Sequence, residues 1–87
     1  MPFEVTLPDA VKDQLSHFPR NVRRRIAHGI KTLRDFPFPR GNTIRRVQGT
    51  TKPIYRLRVG DYRVVYHLDR ARRQVIILVV VHRQRLE

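Results

Sequence analysis

Cysteine is missing altogether from this 87-residue chain, so it has no disulfide, no thiolate ligand for zinc and no thiol nucleophile. Acidic residues are scarce: seven Asp and Glu stand against 19 Lys and Arg, a formal net charge of +12. The four histidines (His17, His28, His67 and His82) fall at no metal-site spacing. With so few carboxylates beside them, neither a metal centre nor a paired-carboxylate acid–base site is expected. Long hydrophobic runs are lacking too. The longest, Val75 to Val81, is 7 residues, against the roughly 20 that a membrane-spanning helix needs. The opening Met1-Pro2-Phe3-Glu4-Val5 has none of the basic-then-apolar character of a signal peptide. Internal repeats and low-complexity tracts are absent. These absences predict a cytoplasmic protein without metal, cofactor or membrane partner.

What is present in excess is arginine, which makes up 16 of the 19 basic residues. A basic surplus of this size in a small domain points first to nucleic acid or to an acidic protein partner. The arginine bias favours planar, two-pronged contact with phosphate or carboxylate over the point charge of lysine. The 40% hydrophobic content is enough for one domain, residues 1–87, around one modest core.

Periodicity divides the chain into strands and helices. Phe3, Val5 and Leu7 alternate with Glu4 and Thr6, as in a short strand with one buried face. Pro8-Asp9 starts a helix whose stripe of Val11, Leu15 and Phe18 is ended by Pro19. A second helix runs from Pro19 to Arg34, with Asn21 as its cap and Val22, Ile26, Ile30 and Leu33 on its core face. The other face carries Arg23, Arg24, Arg25, Lys31 and Arg34. The near absence of a connection between the two makes them an antiparallel hairpin. A proline-punctuated loop, Phe36-Pro37-Phe38-Pro39-Arg40-Gly41-Asn42, then crosses to a strand at Thr43 to Val47. Two arginine-bearing strands follow the turn-like stretch from Gln48 to Pro53. After a turn at Asp69 to Arg73 comes a last strand, Gln74 to His82, so uniformly aliphatic that it is expected to be central and covered on both faces. The order β-α-α-β-β-β-β predicts an α+β fold, with a helical hairpin packed on one face of a mostly antiparallel sheet.

The chemistry concentrates in Ile54-Tyr55-Arg56-Leu57-Arg58-Val59-Gly60-Asp61-Tyr62-Arg63-Val64-Val65-Tyr66. In a strand, residues i and i+2 share one side. Arg56 and Arg58 therefore lie together, with Tyr55, Leu57 and Val59 behind them. Gly60-Asp61 forms the turn, and the return strand sends Arg63 and Val65 to one face and Tyr62, Val64 and Tyr66 to the other. Three guanidiniums on one hairpin repel one another unless a polyanion is meant to sit there. The final strand ends in His82-Arg83-Gln84-Arg85 and delivers a histidine and two more arginines to one end of the sheet. RNA cleavage by its own 2′-hydroxyl suits this inventory. The protein need only align the nucleophile, stabilise charge on the phosphate oxygens and help protons move. Arginine does the second task well but is a poor base because it hardly deprotonates. Histidine, titrating near neutrality, is the proton carrier to consider. The three tyrosines read as core and sheet-packing rings. Arg23, Arg24 and Arg25 read as a solvated face, with a secondary RNA contact as the alternative.

Asn42-Thr43-Ile44-Arg45-Arg46-Val47 after the proline-rich loop, Tyr55-Arg56-Leu57-Arg58, and above all Val59-Gly60-Asp61-Tyr62-Arg63-Val64-Val65-Tyr66 followed by the aliphatic strand and His82-Arg83 resemble the RelE/ParE toxin superfamily. The resemblance spans nearly the whole chain in layout. It implies a small basic toxin of a type II toxin–antitoxin pair, held inactive by a cognate antitoxin. RelE-like members cleave mRNA on the ribosome without metal, whereas ParE-like members poison DNA gyrase. By this resemblance Arg56 and Arg58 fall on a pair of basic residues, often lysines. Arg63 falls on the arginine that contacts the scissile phosphate, and Arg83 on one that stabilises the transition state. His82 lies near a histidine used as general acid in some relatives. Arg45, Arg46 and Arg85 complete the expected phosphate-binding set. Three readings follow: a ribosome-dependent endoribonuclease acting on mRNA, a gyrase-inhibiting toxin of the ParE kind, and a basic RNA-binding module without toxicity. Under either toxin reading an acidic, disordered antitoxin segment is expected to fold against the sheet or the helical hairpin.

Overall fold

The structure, a computed structural model, describes residues 2–85. Its elements run β1 (Glu4–Thr6), α1 (Asp9–Ser16), α2 (Arg20–Thr32), β2 (Ile44–Arg46), β3 (Ile54–Val59), β4 (Tyr62–Asp69) and β5 (Gln74–His82), closed by a 3₁₀ turn, Arg83–Arg85. The strands form one sheet in the order β1-β5-β4-β3-β2. Only the β1–β5 pairing is parallel; β2–β3, β3–β4 and β4–β5 are antiparallel. The expected α+β arrangement is what forms. No described helix is long and apolar enough to cross a membrane.

Both helices lie on one face of the sheet. Val11 and Leu15 of α1 and Ile26 and Ile30 of α2 are buried against Leu57, Val64, Tyr66, Val75, Ile77 and Val80 in a single core cluster. Each helix starts directly after a proline, Pro8 and Pro19, whose backbone is fixed in an extended conformation. That corrects the assignment of Asn21 as a cap. Because Pro19 already sets the entry geometry, Asn21 falls inside the first turn of α2. The helix comes close to β3 at Gly29, where a Cβ would lie 2.8 Å from Val59 Cγ2. The proline-rich loop is tied down by Tyr66, whose buried hydroxyl donates to the Pro37 carbonyl at 2.8 Å.

The last strand departs from expectation. β5 is internal to the sheet, yet only one of its faces is covered, and Leu78 is 45% exposed. The helices cover only one face of the sheet, and a β-bulge adds a local irregularity at Leu78. Val65 pairs with Val79 and Tyr66 with Ile77, so Leu78 is an extra residue without a partner. The bulge resets the phase of the strand. Val75 and Ile77 are buried before it, Val80 after it, and Ile76, Val79 and Val81 are left half-buried on the opposite face. The unbroken aliphatic run thus reflects an apolar strip on the open face together with a change of register, rather than burial on two sides. β1 pairs only as far as Ile76. Beyond that point Gln14 of α1 takes over the role of a neighbouring strand. Its amide Nε2 donates to the Val80 carbonyl, and its Oε1 accepts from the Val80 N–H at 3.0 Å.

Candidate functional site

On the face away from the helices, strand register gathers arginines. Antiparallel pairing sets Arg45 opposite Arg56 and Arg58 opposite Arg63. The alternation of β3 buries Tyr55 and Leu57 beneath the helices while turning Arg56 and Arg58 outward. With Asn42 these four arginines line a cleft of about 170 Å³, and no carboxylate lines it. Like charges directly across a sheet destabilise it, so the cleft is an arrangement that an anion would relieve. Asn42 is a site residue for which the sequence supplied only a turn signal. The tight turn that presents it is closed by an Arg40 N–H bond to the Ile44 carbonyl at 2.9 Å and contains Gly41 at φ +49°.

The β3–β4 turn at the end of the cleft is held by further polar interactions. Arg63 Nη1 donates to the carbonyls of Gly60 and Tyr62, both at 2.9 Å. The Arg83 N–H donates to the Asp61 carbonyl at 2.8 Å, and its Nε lies 3.5 Å from the Asp61 carboxylate. On the helix side Arg25 presses on Gly60: a Cβ there would lie 2.7 Å from an Arg25 guanidinium nitrogen. Gly60 also sits at φ +56°, and this backbone conformation is what selects glycine, since the flexible tip of Arg25 could swing away from a side chain there. Arg83 is thus tied to the same turn as Arg63, two residues beyond Val81, the cross-strand partner of Arg63, but it does not line the cleft.

His82 does not join them. It pairs with Tyr62, and the two rings meet edge to face at 5.4 Å. Tyr62 in turn packs on Phe18, 5.2 Å between centroids, on the helix side. His82 shares a separate pocket of about 220 Å³ with Val22, Arg25, Ile26, Val59, Asp61 and Tyr62. The bulge at Leu78 is the cause: simple alternation from the buried Val75 would put residue 82 on the cleft face, and one extra residue turns it to the other. The Gln84 N–H donates to His82 Nδ1 at 3.3 Å, which leaves Nε2 to carry the proton of the neutral ring. Arg46 alternates away from Arg45 on the outer edge of β2 and lines an edge groove with Arg40 and Gln48. Arg85 is exposed on the 3₁₀ turn.

The Tyr66 phenol titrates well away from its usual range. Burial, reinforced by the neighbouring Tyr55 and only partly opposed by Arg40, raises its phenol well above the usual value of 10.0. It is a locked donor to the proline loop, not a proton shuttle. Among the described residues no cluster of three or more His, Cys, Asp or Glu side chains is placed to hold a metal ion.

Comparison with known proteins agrees with this architecture. The family described as "ParE toxin of type II toxin-antitoxin system, parDE" matches residues 6–87. The toxin in the archaeal RelE–RelB complex from Pyrococcus horikoshii OT3 is 30% identical, with 98% of this chain and 99% of that chain covered and a TM-score of 0.83. The toxin–antitoxin complex RelBE2 of Mycobacterium tuberculosis matches at 21% identity over 95% of this chain and 100% of that one, with a TM-score of 0.81. The isolated E. coli RelE toxin matches at 16% identity over 92% and 83% of the two chains, with a TM-score of 0.68. No curated protein sequence matches.

Proposed function

The chain belongs to the RelE/ParE superfamily of type II toxin–antitoxin toxins, and from that premise we propose that it is a metal-independent endoribonuclease that cleaves mRNA on the ribosome. The observation that carries this reading is the cleft in which register brings Arg45, Arg56, Arg58 and Arg63 together with no acidic side chain. Four guanidiniums gathered by strand register suit a phosphodiester whose charge grows as the RNA's own 2′-hydroxyl attacks. Arg63, pinned by two carbonyls, and Arg83, tied to the same turn by Asp61, are assigned to the scissile phosphate. Arginine remains protonated throughout, so its contribution is alignment and charge stabilisation rather than proton removal. His82, across the sheet from the cleft, is assigned to positioning: its ring braces Tyr62 at the strand end from which Arg83 projects. The ribosome supplies much of the substrate alignment.

The likeness to RelE toxins found with RelB antitoxins supports a cognate antitoxin as partner. The open sheet face offers it two kinds of contact, an apolar strip of Ile76, Val79 and Val81 and the adjoining arginine cleft. An acidic segment that folds on binding would cover both.

Gyrase inhibition is the second reading, favoured by the ParE description of the matching family and by the position of His82 away from the cleft. A bacterial translation reaction with a defined mRNA separates the two. Ribosome-dependent cleavage within translated codons, lost in Arg63→Ala, is the expected result. Intact mRNA together with blocked DNA supercoiling would transfer the assignment to gyrase.

A further inference from the structure

We propose that single-stranded RNA bound in the cleft continues over the outer edge of β2, through the arginine-lined edge groove, and stacks a base on Phe36. This rests on the reading of the cleft as a phosphate site and extends it to the flanking nucleotides.

The cleft and the edge groove share Arg45 and Arg56, so they are contiguous. The groove, about 470 Å³, adds Arg40, Arg46 and Gln48 and has no acidic lining residue. It leads to Phe36, because the Arg40 guanidinium lies over that ring at 5.4 Å. Phe36 is 42% exposed, one of two large hydrophobic side chains so exposed among the described residues. Its ring is nonetheless held in place. Phe38 meets it edge-on at 5.4 Å and 88°, and Phe38 is itself braced edge-on by Phe3 at 5.5 Å. A fixed, exposed aromatic ring beside a cation, at the end of a track of arginines, is the combination that binds a nucleic acid strand without regard to sequence: the backbone follows the charge and a base covers the ring.

An acidic peptide fits the groove less well. The groove's aliphatic residue, Ile44, is only 1% exposed, so beyond the exposed Pro39 and the Phe36 ring at its end a peptide would find mostly charge along it. The β5 strip on the open face offers a peptide apolar anchors. The proposal also gives a task to Arg46, which alternation keeps out of the cleft.

The test is binding of 2′-O-methyl RNA, which cannot be cleaved, at several salt concentrations. A short oligonucleotide of about 3 nucleotides fills the cleft alone, whereas one of about 10 also reaches the groove. Phe36→Ala should weaken the longer RNA by about five- to a hundred-fold, the range for loss of one stacked base, and leave the shorter within about twofold. Phe36→Leu, which keeps the packing against Phe38 but not the stacking surface, should behave like the alanine variant, and Phe36→Tyr like the parent. Arg40→Ala with Arg46→Ala should reduce the salt slope for the longer RNA by about 1.4, at about 0.7 for each phosphate no longer neutralised. Arg58→Ala should weaken both oligonucleotides. If Arg58→Ala weakens both while the Phe36 and Arg46 variants change neither, the cleft stands and the track is wrong. If Arg58→Ala changes neither, the phosphate reading of the cleft fails and this proposal with it. If the Phe36 and Arg46 variants weaken an antitoxin complex but not RNA, the groove is a protein-docking surface and the proposal is overturned.

Discussion

The phenol of Tyr66 is buried completely and donates its proton to the Pro37 carbonyl at 2.8 Å, which anchors the loop that carries Phe36, Phe38 and Arg40. Tyr66→Phe leaves that carbonyl without its donor and should cost about 1–3 kcal/mol of folding free energy, measured by urea denaturation. It should also change the response to alkali. Because the folded-state pKa is raised above 10.0, the unfolded chain loses this proton first as pH rises. The contribution is full below pH 10 and is lost progressively above it, by up to about 1.4 kcal/mol per pH unit. The Phe variant lacks that component, so its stability should fall less steeply above pH 10; parallel curves would show that the phenol titrates normally. The cleft residues separate in the same way by activity. Arg63→Ala should reduce ribosome-dependent cleavage by about 100- to 1000-fold, the cost of removing a donor aimed at developing charge. His82→Gln, on the far side of the sheet, should cost less than about tenfold, below the range for loss of a general acid or base. A larger loss, with a changed pH–rate profile, would return His82 to proton transfer.

At the level of elements, the bulge in β5 decides which side chains share a face, and Gln14 stabilises the strand just beyond it. The carboxamide pairs with both backbone groups of Val80, so Gln14→Leu would leave a partly buried N–H and C=O without partners. The expected loss is about 1–3 kcal/mol. It should be accompanied by faster amide hydrogen exchange at Val80 and unchanged exchange in β3. Uniform acceleration would mean that Gln14 acts on global stability alone. This same bulge marks the limit of what could be read from the chain. The arginine hairpin was legible because period-2 alternation around Gly60-Asp61 is local, and Arg56, Arg58 and Arg63 do converge on one face. The order of elements was legible from apolar spacing and proline punctuation. By contrast, Val75 to Val81 is aliphatic at every position, so a one-residue slip leaves no trace in it, and the side taken by His82 depends on that slip. The cap of α2 was misplaced for a smaller reason: Asn21 has the right chemistry, but Pro19 had already fixed the start. The partnership of Gln14 with Val80 spans 66 residues, beyond any local pattern.

For the molecule as a whole, a charge of +12 on 87 residues sets folding against function. Arg83 pairs with Asp61 and Arg72 with Asp69 at the surface, where such pairs contribute about 0–1 kcal/mol, and seven acids cannot balance 19 bases. Self-repulsion should therefore make the protein less stable in dilute buffer than in salt. Raising NaCl from about 0.05 to about 0.5 M, which shortens the screening length well below the size of the domain, should raise the unfolding free energy. The charges of the cleft add something that screening does not supply, a built site for a phosphate-like anion. At matched ionic strength inorganic phosphate should stabilise the protein beyond chloride, by about 2.7 kcal/mol once its concentration reaches about a hundred times the dissociation constant. Phosphate also stabilises proteins without binding, through exclusion from their surface, so the Arg56→Gln, Arg58→Gln double variant is the necessary control. With two cleft charges removed it should be more stable than the parent in dilute chloride, inactive on mRNA, and deficient in the extra increment from phosphate. Were parent and variant to gain equally from phosphate, the four arginines would be a diffuse surface charge. A gain confined to the parent would instead mean that stability has been given up at these positions to keep an anion site open.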